Sequence, residues 1–197
     1  MISFSFGPGP HYAQFTLNIP GDGIKKFIVE FASLELMPVT VNSFLQQIKR
    51  GLWDDSAFYL KAAHVLIARP ISWDLKRGKR EEFGDLERIA FPEYSEHFPH
   101  AQYTLGLNGR PSGPDFYINS MDNSVPHGPS GHQKDGYAEP CFAKVIIGKE
   151  TVDLIAELPN KHDDEFLLQH AIQIVHVKLI KDLQNMAGGP EYLAIQA

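Results

Sequence analysis

Nine histidines are the residues most able to do chemistry in this chain, and two pairs lie close together. His97 and His100 stand beside Glu96, while His127 and His132 fall in a Gly/Pro-rich loop. Zinc hydrolases place two histidines four apart on a helix with a glutamate between them, so that both rings face one ion. Neither pair has that spacing, and Pro99 between His97 and His100 opposes a regular helix. The reading is therefore of solvated loop histidines, with no metal. Cys141 is the single cysteine, and it lies in the apolar run Cys141-Phe142-Ala143. It reads as a buried structural thiol rather than a nucleophile. No Gly-rich phosphate loop opens a helix and no nucleophile elbow is present, so neither a nucleotide cofactor nor a hydrolase serine is expected.

The elements that would have to position any site are mostly short strands. His11 to Asn18 alternates apolar and polar residues, Pro20-Gly21-Asp22-Gly23 is a turn cluster, and Lys26 to Phe31 reads as a return strand. Pro38 ends the next extended piece. Thr40 reads as a helix N-cap, Val41, Phe44, Leu45 and Ile48 recur at helical spacing, and Gly51 is the stop. Further strands read at 58–60, 64–67, 103–107, 116–118, 142–147 and 172–179, with a short helix over 150–158. The charged stretch 73–88 reads as an exposed insertion. Many short strands separated by turns predict a closed barrel or sandwich, with the two helices across its ends.

The chain has 197 residues, 43% hydrophobic and 21% charged, with a formal net charge of −6. That suits one domain with its own core. The acidic balance argues against a phosphate-backbone binder, so nucleic acid is not an expected partner. No apolar run approaches the roughly 18 residues of a membrane-spanning helix, and the first residues do not read as a signal peptide. With one cysteine the chain fits a reducing compartment, and a complete chain would read as cytoplasmic. The expected organisation is a lead-in at 1–10, one domain at 11–181 and a tail at 182–197.

Six segments, in order, resemble the cyclophilin family of peptidyl-prolyl cis-trans isomerases. Pro38-Val39-Thr40-Val41-Asn42-Ser43-Phe44 resembles the family's P-x-T-x-x-N-F, with Ser43 for the asparagine. Gly51 to Phe58 resembles G-x-Y-D-x-x-x-F, and Tyr103 to Asn108 loosely resembles the end of G-x-L-S-M-A-N. Gly113 to Ile118 resembles G-S-Q-F-F-I, and Pro140 to Gly148 resembles V-V-F-G-K-V-x-x-G. Thr151-Val152-Asp153-Leu154-Ile155 then resembles x-V-V-D-x-I, one residue shorter. The resemblance implies a mainly β fold, a closed eight-stranded antiparallel barrel capped by two helices. It also implies a shallow groove beside Leu66, Asn108 and Tyr117 that holds proline-containing or extended peptide segments.

The departures fall on the groove. The family's F-H-R is Phe58-Tyr59-Leu60, so the arginine position is Leu60, and Lys61 one residue on is the substitute cation a rival reading needs. Strand alternation points Lys61 away from the groove. Aligned without a gap, G-F-M-x-Q-G-G-D falls on His64 to Ile71, which gives Val65, Leu66 and Ala68 for the phenylalanine, methionine and glutamine. Leu107 and Asn108 follow from the third segment, Asp115 replaces the second glutamine, and Tyr117 is the aromatic wall. The family's loop tryptophan and histidine fall near Gln133 and Glu139. Asp115 could pair with Arg110, and Asn108 could cap a turn.

These losses bear on mechanism. Isomerisation must lower a rotation barrier of about 18–20 kcal/mol by favouring the twisted amide over both planar forms. A donor aimed at the amide as conjugation is lost does so, and Leu60 offers none. Three readings follow: a peptide-binding domain with weak or lost isomerase activity, an active isomerase with a rearranged site, or an interaction scaffold using the charged 73–88 stretch.

Overall fold

The computed structural model describes residues 6–7, 9–89, 93–109, 112–129, 131, 138–181 and 183. The lead-in and tail expectations, Arg110, His132 and Gln133 lie wholly or largely outside them. The described residues form nine strands: β1 (Tyr12–Ile19), β2 (Gly23–Phe31), β3 (Ser56–Lys61), β4 (Val65–Ser72), β5 (Thr104–Leu107), β6 (Phe116–Asn119), β7 (Cys141–Ile147), β8 (Asn160–Lys161) and β9 (Asp164–Ile180). Their order in the sheet is β1-β2-β7-β5-β6-β4-β3-β9-β8, and β1 also pairs with β9. That last pairing closes eight strands into an antiparallel barrel, as expected, and two-residue β8 hangs on β9 outside it. Closure leaves the eight without a free edge.

The barrel fills itself with aromatic side chains. Phe116 packs against Phe15, Phe44, Trp53 and Phe58 at ring-centroid distances of 4.7–5.9 Å. Helix α1 (Pro38–Lys49) supplies Phe44, Leu45 and Ile48 to this core, and α2 (Lys149–Glu157) supplies Val152 and Ile155. Among the described residues no helix is long and apolar enough to cross a membrane.

Three local expectations are corrected. Helix α1 starts at Pro38, and Thr40 lies inside it, fully buried. Proline at the first helical position needs no N–H partner. The open N–H groups of Val39 and Thr40 donate instead to the Glu93 carboxylate at 2.9 and 2.7 Å, a cap from 53 residues away. The 73–88 stretch is not simply exposed. A 3₁₀ helix spans Arg80–Leu86, Phe83 packs on Trp53 at 5.2 Å, and the Lys79 ammonium is buried. Lys79 donates to the carbonyls of Leu52 and Asp54, and desolvation lowers its pKa. Strand β9 is more than twice the length expected, because its first half, at the exposed end of the barrel, lacks the alternation of its second.

Candidate functional site

Cross-strand rows make up the outer face of β3, β4, β6 and β5. Residues paired across a sheet point to the same face. Ala68 pairs with Phe116, and Phe116 with Leu107, and all three are in the core. Leu66 pairs with Ile118, and Ile118 with Leu105, again in the core. Ile67 pairs with Tyr117, and Tyr117 with Gly106, so this row lies outside.

Leu60 joins that outer row through a bulge. Phe58 pairs with Ala68 but Leu60 with Ile67, so two steps on β3 match one on β4. The extra residue, Tyr59, reverses the alternation. Leu60, Ile67, Tyr117 and Gly106 thus run side by side across four strands. A second outer row, one step away, holds Ala57, Arg69 and Asp115. A third holds Val65, Asn119 and Thr104.

The structure therefore brings together Leu60, Val65, Asp115, Tyr117 and Glu139 and separates others. Leu66, Ala68 and Leu107 line the barrel interior, not the groove. The ungapped alignment over 64–71 is one residue out, and Ile67 and Arg69 hold the positions given to Leu66 and Ala68. Lys61 is committed elsewhere. Its ammonium donates to the carbonyls of Ala156, at 2.9 Å, and Leu158 at the end of α2, where a cation suits the open carbonyls. Asn108 donates its backbone N–H to the Asp115 carbonyl at 2.9 Å and so frames the turn before β6.

Asp115 is ion-paired to Arg69, at 2.8 Å from its Nε, and to Arg80. Arg69 also donates Nη1 to the Tyr59 hydroxyl at 3.3 Å. Arg69 and Arg80 are residues that strand periodicity and the family alignment both missed. The signal for Arg69 was its place two after Ile67, readable only once the phase of β4 is known.

The row ends in a buried polar cluster. The Tyr117 hydroxyl donates to Glu139 Oε2 at 2.5 Å, and His127 Nδ1 lies 2.7 Å from the same oxygen. Desolvation raises the Glu139 pKa, but the hydrogen bonds to His127 and Tyr117 and the nearby His127 and His100 rings together hold it below its usual range, while burial and the facing carboxylate push Tyr117 well up. His100 is fully buried, its Nε2 2.9 Å from the Glu139 carbonyl oxygen, and desolvation lowers its pKa to about 4. The reading of His100 and His127 as solvated is thus overturned; both pack against Tyr117. Cys141 is buried, as expected, and burial pushes its thiol up to about 12. Among the described residues, no group of three or more His, Cys, Asp or Glu side chains is arranged to hold a metal ion.

Gly106 is the floor on which the Tyr117 ring lies. A Cβ there would sit 2.5 Å from the hydroxyl oxygen and 2.7 Å from Cε2, inside contact distance. Gly106→Ala is expected to cost about 1–3 kcal/mol by overpacking and to displace Tyr117 from Glu139. Urea unfolding and the Tyr117 ring shifts would check it; unchanged stability and shifts would show that the ring has room.

Comparison with known proteins bears on the fold and family. Residues 21–179 match the sequence profile described as cyclophilin type peptidyl-prolyl cis-trans isomerase/CLD. No curated protein matches the chain. A crystal structure of a Cryptosporidium parvum cyclophilin type peptidyl-prolyl cis-trans isomerase superposes with a TM-score of 0.63 at 12% identity, covering 87% of this chain and 98% of that one. A structure of that enzyme in the presence of the dipeptide Ala-Pro superposes with a TM-score of 0.63 at 14% identity, covering 87% and 99%.

Proposed function

Because the chain belongs to the cyclophilin type peptidyl-prolyl cis-trans isomerase family, we propose that it binds extended or proline-containing peptide segments along the outer face of β3, β4 and β6, with weak isomerase activity. The observation that carries this reading is Leu60. It stands in one row with Ile67 and Tyr117, where a bound amide would lie, and it has no donor. Apolar area from the part-exposed Leu60 and Ile67, above the buried Tyr117 ring, still supports binding of a proline ring. The similar Cryptosporidium parvum protein was crystallised in the presence of Ala-Pro, which supports a short proline peptide as ligand class.

A second reading has its own observation. Arg69 is on the groove face, one row from Leu60, and could supply the missing cation. Its guanidinium is, however, already engaged by Asp115 and Tyr59, and moving it toward an amide would break that ion pair. We therefore rank it as a source of residual turnover.

The test is isomerisation of an Ala-Pro peptide by the unaltered protein, with binding followed separately by NMR titration. Binding with a kcat/KM at least a hundredfold below the roughly 10⁷ M⁻¹s⁻¹ of efficient enzymes is expected. A value near that figure overturns the weak-isomerase reading in favour of a rearranged site. Failure to bind any proline peptide overturns the groove itself.

A further inference from the structure

The outer face carries an unusual charge arrangement beside Tyr117. Asp115 places one carboxylate oxygen on Arg69 and the other on Arg80, so a single buried anion holds two guanidinium groups. Its side chain is 10% exposed, whereas those of Arg69 and Arg80 are 42% and 40% exposed. Arg80 also reaches Glu87 at 3.4 Å, and Glu87 is shared with Arg88. The patch thus sets three arginines against two carboxylates in a chain whose net charge is −6. Each guanidinium has five N–H donors in a planar fork. With side chains 42% and 40% exposed, Arg69 and Arg80 keep N–H donors beyond those in contact with Asp115, Tyr59 and Glu87. Because Asp115 and the Tyr59 ring, 6.0 Å from the Arg69 guanidinium carbon, already fix the fork, little ordering is left to a ligand.

The spacing sets where a ligand charge would fall. Asp115, the residue just before β6, and Tyr117 within it are two residues apart on one face, about 6.6 Å along the chain at roughly 3.3 Å per residue. An extended peptide has the same rise. We propose that the groove prefers peptide segments carrying a carboxylate two or three residues from the residue seated at Tyr117, with Arg69 and Arg80 as the recognising pair. This rests on the peptide-binding reading above and names its ligand class.

The experiment uses labelled peptides of one length, Ala-based around a single proline, with Glu, Gln or Lys two or three residues to either side. Binding is followed by fluorescence anisotropy at low and high salt, with wild type, Arg69→Gln and Arg80→Gln. In at least one position the Glu peptide should bind wild type about three- to tenfold tighter than its Gln counterpart, as charge-assisted hydrogen bonds allow, with Lys weakest. The advantage should shrink at high salt and be lost in Arg80→Gln, whose side chain is far enough from the core to leave the fold intact. Equal binding of Glu and Gln peptides by wild type in every position overturns the proposal. So does an advantage that survives in both variants. If the Gln peptides bind and Glu adds nothing, this inference alone fails; if no peptide binds, the peptide-binding reading fails and takes the inference with it.

Discussion

Leu60→Arg is expected to raise isomerase activity about a hundredfold over the unaltered protein. Cross-strand pairing puts residue 60 beside Ile67 and one strand from Tyr117, on the outer face. A guanidinium from there reaches over the row in which a prolyl amide would lie. Loss of one preorganised donor typically costs about 10²–10³ in rate, and the gain should sit at the low end of that range. Arg69 and Asp115 remain where the resemblance implies two glutamines, and groups that act together do not contribute additively. A second cation beside Arg69 also opposes the first. The gain should appear in kcat more than in KM, because ring burial does not depend on the new donor. A Leu60→Met control keeps the volume without the charge and should leave activity unchanged. If Leu60→Arg folds, still binds an Ala-Pro peptide and turns over no faster, the missing donor does not limit this site.

The barrel was legible in the sequence because its signals are local. The β1–β2 hairpin has clear alternation and a Pro-Gly-Asp-Gly turn, and α1 shows its apolar spacing. The fourth segment pointed to Tyr117 and the loop before the fifth to Glu139, 22 residues apart, and their side chains meet at 2.5 Å. What failed was phase. Val65, Leu66, Ile67 and Ala68 are all apolar, so a period of two has nothing to mark inside from outside. An alignment without a gap then set the phase one residue out and hid Arg69. The bulge at Tyr59 is the matching case on β3. Strict alternation from Phe58 would point Leu60 inward; the extra residue turns it outward, beside Ile67.

His100 was misread for a different reason. Nothing in Phe98-Pro99-His100-Ala101 marks burial, since its partners come from elsewhere in the chain: the Glu139 carbonyl, the Tyr117 hydroxyl and the Asn119 amide. A side chain whose surroundings are assembled by a closed barrel has no local signature. The same holds for Asp115, whose partners are Arg69 and Arg80, 46 and 35 residues away in sequence, on β4 and in the 3₁₀ helix.

Burial of His100 makes stability depend on pH with a definite sign. Its Nε2 lies 2.9 Å from the Glu139 carbonyl oxygen, which can only accept, so Nε2 carries the proton. Nδ1 then faces the Asn119 amide nitrogen at 3.5 Å, itself a donor, and the Tyr117 hydroxyl at 3.4 Å, whose proton goes to Glu139. A second proton on Nδ1 would meet donors in a desolvated site, and the pKa is lowered to about 4. In the unfolded chain it returns to about 6.5. At pH 7 neither state is protonated and His100 costs nothing. As pH falls through 6.5 the unfolded state takes up a proton that the folded state refuses, so stability is lost at up to about 1.4 kcal/mol per pH unit. The loss levels off below the folded pKa, at about 3 kcal/mol in all. Glu139, with its folded pKa lowered, adds a loss of the same sign at more acid pH. Urea unfolding at pH 7, 5.5 and 4 should show the decline, and His100→Gln should flatten it between pH 6.5 and 4. An NMR titration of the His100 ring in the unaltered protein gives the direct reading. A ring that takes up its proton near pH 6.5 in the folded state would refute the buried neutral assignment.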